Sequence, residues 1–127
     1  MSKKIMVIDD DAITLKMCDF ILRKCDYEVV TMNSGITALD YLRSPNSEPV
    51  DLIFLDIEMP LLNGFNTLSS IRQSTALKDI PVIFLTAHAT KETVSEAIRL
   101  GVTSYIKKPF KPSELVHKAQ ELIGAAE

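Results

Sequence analysis

Five short apolar runs recur along this 127-residue chain, each followed by a segment whose apolar residues fall three and four positions apart. A short apolar run suits a buried strand, and the three-four spacing suits a helix with one face on a core. Alternation of the two leaves few architectures. Strands joined through helices lie parallel, and a parallel sheet has to be covered on both faces. The predicted strands are residues 4–8, 28–32, 50–55, 81–85 and 103–106. The nearly unbroken apolar runs at 50–55 and 81–85 mark central strands.

The helical stripes are Ile13, Met17, Phe20 and Ile21, then Ala38, Leu39 and Leu42, then Phe65, Leu68 and Ile71. Val94, Ala97 and Ile98 mark a fourth helix, and Leu115, Ala119, Leu122 and Ile123 a fifth. Start signals agree: Asp10 or Asp11 for the first, Ser34 for the second, Asn63 for the third and Ser113 near the start of the fifth. Gly101 closes the fourth. At about 150 residues per domain, the length gives one domain over residues 1–127, and 46% apolar with 24% charged residues is an ordinary globular balance.

Fourteen Lys and Arg against seventeen Asp and Glu leave a net charge of -3, so no broad basic field draws the chain to nucleic acid or to an anionic membrane. Cys18 and Cys25 fit neither a CxxC pair nor a zinc spacing and read as reduced thiols. The apolar run at 5–8 is halted by Asp9, far short of a signal peptide, and no run approaches the roughly 18 residues of a membrane span. A cytoplasmic location is the expectation.

Open parallel sheets bind ligands at the carboxyl ends of their strands, beside the point where strand order reverses. The first strand here ends in Asp9-Asp10-Asp11, the third in Asp56, the fourth in Thr86-Ala87-His88 and the fifth in Lys107-Lys108-Pro109-Phe110. One helix needs one cap, and three consecutive aspartates exceed that need. Carboxylates within about 4 Å of one another repel by roughly 4 kcal/mol per pair at an effective dielectric near 20. A cluster of Asp9, Asp10 and Asp56 therefore calls for a cation, and oxygen-only ligands favour Mg²⁺ or Mn²⁺ over Zn²⁺. Adjacent side chains leave a strand end in different directions, so one of the first two aspartates would ligate through water. Three carboxylates, one Mg²⁺ and Lys108 sum to about zero charge, and Mg²⁺, an ammonium and the Thr86 hydroxyl are what a transferring phosphoryl group needs. An aspartate can itself be the nucleophile.

Over essentially its whole length the chain resembles the receiver domain of two-component response regulators. The resemblance rests on Val7-Ile8-Asp9-Asp10-Asp11, Asp56-Ile57-Glu58-Met59-Pro60 with Gly64 following, Thr86-Ala87, and Tyr105-Ile106-Lys107-Lys108-Pro109-Phe110. It implies an α/β, flavodoxin-like (βα)5 fold with a five-stranded parallel sheet in the order 2-1-3-4-5. It implies that Asp56 accepts a phosphoryl group from a sensor histidine kinase or histidine phosphotransfer protein. Asp10 would bind Mg²⁺ directly, Asp9 mainly through water, and the Glu58 backbone carbonyl would complete the protein ligands. Thr86 and Lys108 would contact the phosphoryl oxygens, Tyr105 would change rotamer as Thr86 moves, and the Lys108-Pro109 bond would be cis. The outer face of the fourth helix, fifth strand and fifth helix would then bind a downstream protein. Glu58 and His88 occupy flanking positions that tune phosphoryl lifetime in the family.

The chain runs only to Glu127 after the fifth helical segment, which leads to the expectation of a receiver acting by protein contact. It would either stand alone, like a chemotaxis regulator, or be excised from a longer regulator or hybrid kinase. The fifth strand lacks the acidic pair of the winged-helix subclass, so a monomer or a weak phosphorylation-dependent dimer is expected, and signalling rather than enzymatic turnover. A haloacid-dehalogenase-like phosphatase would use Asp9 as nucleophile and Asp11 as general acid, but no acidic pair follows Lys108 to complete its metal site. A flavodoxin would need hydroxyls and glycines around a phosphate where Asp9-Asp10-Asp11 would repel one.

Overall fold

The computed structural model describes residues 2–59 and 63–126. Its elements alternate as β1 (Lys4–Ile8), α1 (Ala12–Arg23), β2 (Glu28–Met32), α2 (Gly35–Arg43), β3 (Leu52–Asp56), α3 (Gly64–Gln73), β4 (Val82–Thr86), α4 (Lys91–Arg99), β5 (Ser104–Lys107) and α5 (Pro112–Ile123). All strand pairs are parallel, and the sheet order is β2-β1-β3-β4-β5.

The strand residues divide by parity between two cores, as side chains on a pleated strand must. Met6, Ile8, Ile53, Leu55 and Phe84 pack with Ala38 and Leu39 of α2, Leu68 and Ile71 of α3 and Ala97 of α4. Ile5, Val7, Leu52, Phe54, Ile83 and Leu85 pack with Cys18 and Leu22 of α1 and Leu115 and Ala119 of α5. Every residue of β3 and β4 is buried, which is why their sequences are apolar without alternation. Phe65 of α3 meets Phe84 edge-on, with ring centroids 5.6 Å apart. The chain crosses from β1 outward to β2 and then back to β3, so strand order reverses between β1 and β3.

Strand ends shift from the expected positions. β3 starts at Leu52 rather than Val50, because Asp51 is spent on a bridge to Lys4: its N–H donates to the Lys4 carbonyl (2.8 Å) and its carboxylate accepts the Lys4 N–H (2.8 Å). β3, β4 and β5 each run one residue further than expected, keeping Asp56 and Thr86 in the ladder, paired with Leu85 and Lys107.

Asp11, Ser34 and Asn63 cap α1, α2 and α3 through side-chain oxygens that accept from Ile13, Thr37 and Asn66 N–H groups. Thr90 does the same for α4. α5 starts at Pro112, with Ser113 its second residue as expected; Lys111 is its N-cap and Glu114 accepts the Lys111 N–H. At the opposite edge of the sheet from these strand ends, the Lys3 N–H donates to the Ala126 carbonyl (2.9 Å). The Lys3 ammonium reaches the Ile123 carbonyl and the Tyr27 hydroxyl reaches that of Gly124.

The burial pattern predicts a sharp contrast in urea unfolding. Phe54→Ala, at a fully buried site between sheet and helices, is expected to cost about 3–5 kcal/mol. Ile98→Ala, at a position 67% exposed on α4, should stay within about 0.5 kcal/mol of wild type.

Candidate functional site

Because the five strands are parallel, their carboxyl ends meet along one edge, and the reversal between β1 and β3 opens a crevice there. Asp9, just past β1, is 0% exposed, and Asp56, the last residue of β3, is 4% exposed, while Asp10 faces solvent. One carboxylate oxygen from each of the three lies within 4.8 Å of the others. Lys108, after β5, places its ammonium 2.7 Å from Asp9 Oδ2 and 3.4 Å from Asp56 Oδ1. Its backbone N–H donates to the Thr86 carbonyl (2.7 Å), and the Lys108-Pro109 peptide bond is cis. The second Asp9 oxygen accepts the Asp11 N–H (2.9 Å). A long bond of 3.4 Å from the Glu58 N–H reaches Asp56.

The electrostatics are those of an underneutralised cluster. Burial, and next the charge of Asp9, push the Asp56 carboxyl up to about 6 from its ordinary 3.8, against the pull of Lys108. Burial opposes the charge on Lys108, but the hydrogen bond to Asp9 and the charges of Asp9 and Asp56 outweigh it and hold the ammonium above the ordinary lysine value. Three carboxylates face one ammonium. The donor set is all oxygen and partly open to water through Asp10, which fits a hard divalent cation such as Mg²⁺ and lacks the nitrogen and sulfur ligands of a zinc centre. Below the cluster, burial pushes the Cys18 thiol up to about 12, so it stays protonated.

Thr86 ends β4 and is 1% exposed, with its hydroxyl accepting the His88 N–H (3.0 Å). Tyr105 on β5 is 44% exposed and shares with Thr86 a cavity of about 240 Å³ that Phe84 and Ala97 also line. Tyr105 thus stands one cavity away from the carboxylates rather than among them. Asp11 turns away from the cluster: its carboxylate takes the Thr14 hydroxyl (2.9 Å) and the Ile13 N–H (3.0 Å), and these bonds hold its pKa below the usual carboxylate value. The Glu58 side chain also points outward, pairing with His88 at 3.5 Å across the mouth between the β3–α3 and β4–α4 connections. Pro60 lies outside the described residues.

Gly64, which stands in the motif that follows Asp56, and Arg72 of α3 owe their roles to close approaches made in the fold. A Cβ on Gly64 would sit 2.5 Å from the Asp56 carbonyl and 2.6 Å from Ile57 Cα, so only glycine lets α3 start against the strand that ends in Asp56. Arg72 of α3 binds the carbonyls of Gly101, Lys78 and Ile80, contacts for which no side-chain pattern exists to be read.

The family model for the response regulator receiver domain matches residues 5–120. The chain belongs to this family. Among solved structures similar to the receiver described here are the Vibrio cholerae chemotaxis protein CheY4 and the receiver domain of a sensor histidine kinase from Pseudomonas aeruginosa PAO1. CheY4 has a TM-score of 0.90 and 28% identity, covering 97% of this chain and 100% of that one. The Pseudomonas domain has a TM-score of 0.86 and 28% identity over 98% of this chain and 100% of that one, and was solved with a magnesium ion coordinated in its active-site cleft. Among curated proteins, the two-component response regulator ORR22 of Oryza sativa subsp. japonica is 34% identical over 120 residues, 94% of this chain and 17% of that protein. The response regulator SaeR of Staphylococcus aureus is 33% identical over 119 residues, 94% of this chain and 50% of SaeR. The chain thus spans only about a sixth of ORR22 and half of SaeR. It is a receiver domain of two-component signalling with the flavodoxin-like strand order, and among its described residues no helix is long and apolar enough to cross a membrane.

The raised Asp56 carboxyl sets the sign of a stability measurement. The native state binds a proton at Asp56 up to about 6 and the unfolded chain only up to about 3.8, so in metal-free buffer this group's contribution falls as pH rises through that window. Asp56→Asn removes it. Urea unfolding should show the variant gaining on the order of 1–3 kcal/mol over wild type near pH 7 and little near pH 4. Parallel curves would mean that Asp56 carries no such burden.

Proposed function

We propose that this receiver accepts a phosphoryl group on Asp56 from a phosphohistidine of a sensor histidine kinase or histidine phosphotransfer protein. The observation that supports this most directly is the meeting of Asp9, Asp10 and Asp56 within 4.8 Å beside the Lys108 ammonium. An Asp56 carboxylate oxygen attacks phosphorus, the N–P bond breaks, and the histidine nitrogen leaves with the bonding pair, giving an aspartyl phosphate. Asp10 and Asp56 would hold Mg²⁺ directly, Asp9 mainly through water, with the Glu58 backbone carbonyl as a further ligand, and Mn²⁺ suits the same donors. Bound there, the ion supplies charge neutralisation and a fixed frame for the phosphoryl oxygens. Lys108 releases Asp56 and takes up a phosphoryl oxygen while keeping Asp9, and the Thr86 hydroxyl binds another.

Thr86 and Tyr105 line one cavity, so movement of Thr86 toward the phosphoryl group vacates space into which the Tyr105 ring turns. A population shift of this kind alters the α4-β5-α5 face that a downstream protein reads. In this reading residues 1–127 form one domain, cytoplasmic and monomeric or weakly dimerised on phosphorylation. It signals by protein contact without binding nucleic acid or membrane, and catalyses only its own phosphorylation and dephosphorylation.

Intact-mass spectrometry after incubation with acetyl phosphate tests the chemistry. A single phosphoryl adduct is expected that requires Mg²⁺, is absent in Asp56→Asn and forms about 10²–10³-fold more slowly in Lys108→Ala. An adduct that persists in Asp56→Asn would place the acceptor elsewhere. For the switch, Thr86→Ala is expected to accept the phosphoryl group yet lose the change in Tyr105 ring resonances that wild type shows on modification, and an undiminished Tyr105 response would remove Thr86 from the pathway.

A further inference from the structure

Helix α4 is seated very differently at its two ends. Ala97 is its one buried residue. A cavity of about 240 Å³ runs along the underside of the helix, from Thr86, Thr93 and Val94 past Ala97 to Val102, and a second of about 510 Å³, bounded by Ile57, Thr86, His88 and Thr93, opens beneath its first turns alone. Thr86 and Thr93 line both, so the two spaces adjoin at the end of the helix nearest the carboxylates. A helix lying over empty space lacks the close contacts that fix elements in a packed interior.

The other end is tied down. Both ends close on their own backbone, the Val94 N–H donating to the Thr90 carbonyl (2.9 Å) in the first turn and the Leu100, Gly101 and Val102 N–H groups to the Glu96, Ile98 and Ala97 carbonyls (3.1, 3.0 and 3.0 Å) in the last. The last turn, however, passes directly into the sheet, where the Thr103 N–H donates to the Val82 carbonyl (2.9 Å). Arg72 of α3 then reaches across. Its Nε donates to the Gly101 carbonyl (3.0 Å), and its Nη1 donates to the carbonyls of Lys78 (3.0 Å) and Ile80 (2.8 Å). One rigid guanidinium fork therefore joins the turn that ends α4 to the connection that enters β4. The approach is close: Gly101 has φ +89°, and a Cβ there would lie 3.3 Å from Arg72 Nε.

We infer that Arg72 is a pivot clamp, a positioning residue that fixes the C-terminal end of α4 so that displacement at Thr86 swings the N-terminal half of the helix about residues 100–102. A helix free at both ends would instead slide as a body and spread the same displacement over its whole length. The clamp itself is a property of the unmodified fold. Only its use in signalling rests on the reading that a group at Asp56 acts through Thr86.

Amide hydrogen exchange followed by NMR tests both parts. In wild type without ligand, the amides of Val94, Ser95 and Glu96 are expected to exchange at least about tenfold faster than those of Leu100, Gly101 and Val102. In Arg72→Gln that ratio should fall below about threefold, with rates scaled to the Ile53 and Phe54 amides so that a general loss of stability cancels. Equal exchange at the two ends in wild type, or an unchanged ratio in the variant, would overturn the clamp, and the wild-type comparison stands even if the variant folds poorly. Adding beryllofluoride and Mg²⁺ should then perturb residues 91–96 of wild type and leave 100–102 nearly still, whereas in Arg72→Gln the perturbation should reach 100–102. Wild-type shifts of equal size at both ends would also overturn it. No response to beryllofluoride in wild type, with the exchange gradient intact, would leave the clamp standing and defeat the phosphoryl reading alone.

Discussion

Two carboxylates taken out of water side by side, Asp9 and Asp56, set the terms for this molecule. Each would be unfavourable alone in such a place, and together they raise the cost of charging either one. The fold accepts that cost because it spends its apolar residues elsewhere: β1, β3 and β4 are buried in two cores, one on each face of the sheet. Lys108 offsets part of the repulsion by standing 2.7 Å from Asp9 and 3.4 Å from Asp56. Its position follows from the ladder, since β5 pairs with β4 in a register that carries residue 108 to the same edge.

How much of this could be read in the residues follows from where each signal lies. The order of elements was legible because burial on both faces leaves β3 and β4 as unbroken apolar runs. The edge on which Asp9, Asp10, Asp56, Thr86 and Lys108 meet was legible because parallel strands deliver their ends together. Strand limits were less so. Apolar character alone cannot tell that Val50 precedes the ladder, or that Asp56 and Thr86 remain within it, since both are decided by hydrogen bonds to neighbouring strands.

Contacts made to backbone atoms left no trace in the residue pattern. Arg72 looks like an ordinary basic residue in the last turn of α3, and its partners are carbonyls of Gly101, Lys78 and Ile80, which any residue would supply. Gly64 could be seen in the motif, but the reason for it is the 2.5 Å approach to the Asp56 carbonyl, a distance only coordinates give. Asp11 was correctly open to a capping role, and its bonds to Thr14 and Ile13 separate it from the two aspartates before it. That separation also deprives the phosphatase alternative of its general acid.

The bond from Lys3 to the Ala126 carbonyl closes the chain on itself at the edge away from the carboxylates. Topologically the domain is therefore nearly a ring, with entry and exit at one point and the chemistry at the far pole. Such a ring can be cut and rejoined, or spliced whole into the surface loop of a host, with little strain on either partner. The seam of that ring lies across the sheet from Asp9, Asp56 and Lys108, so a join made there leaves the carboxylate pole untouched.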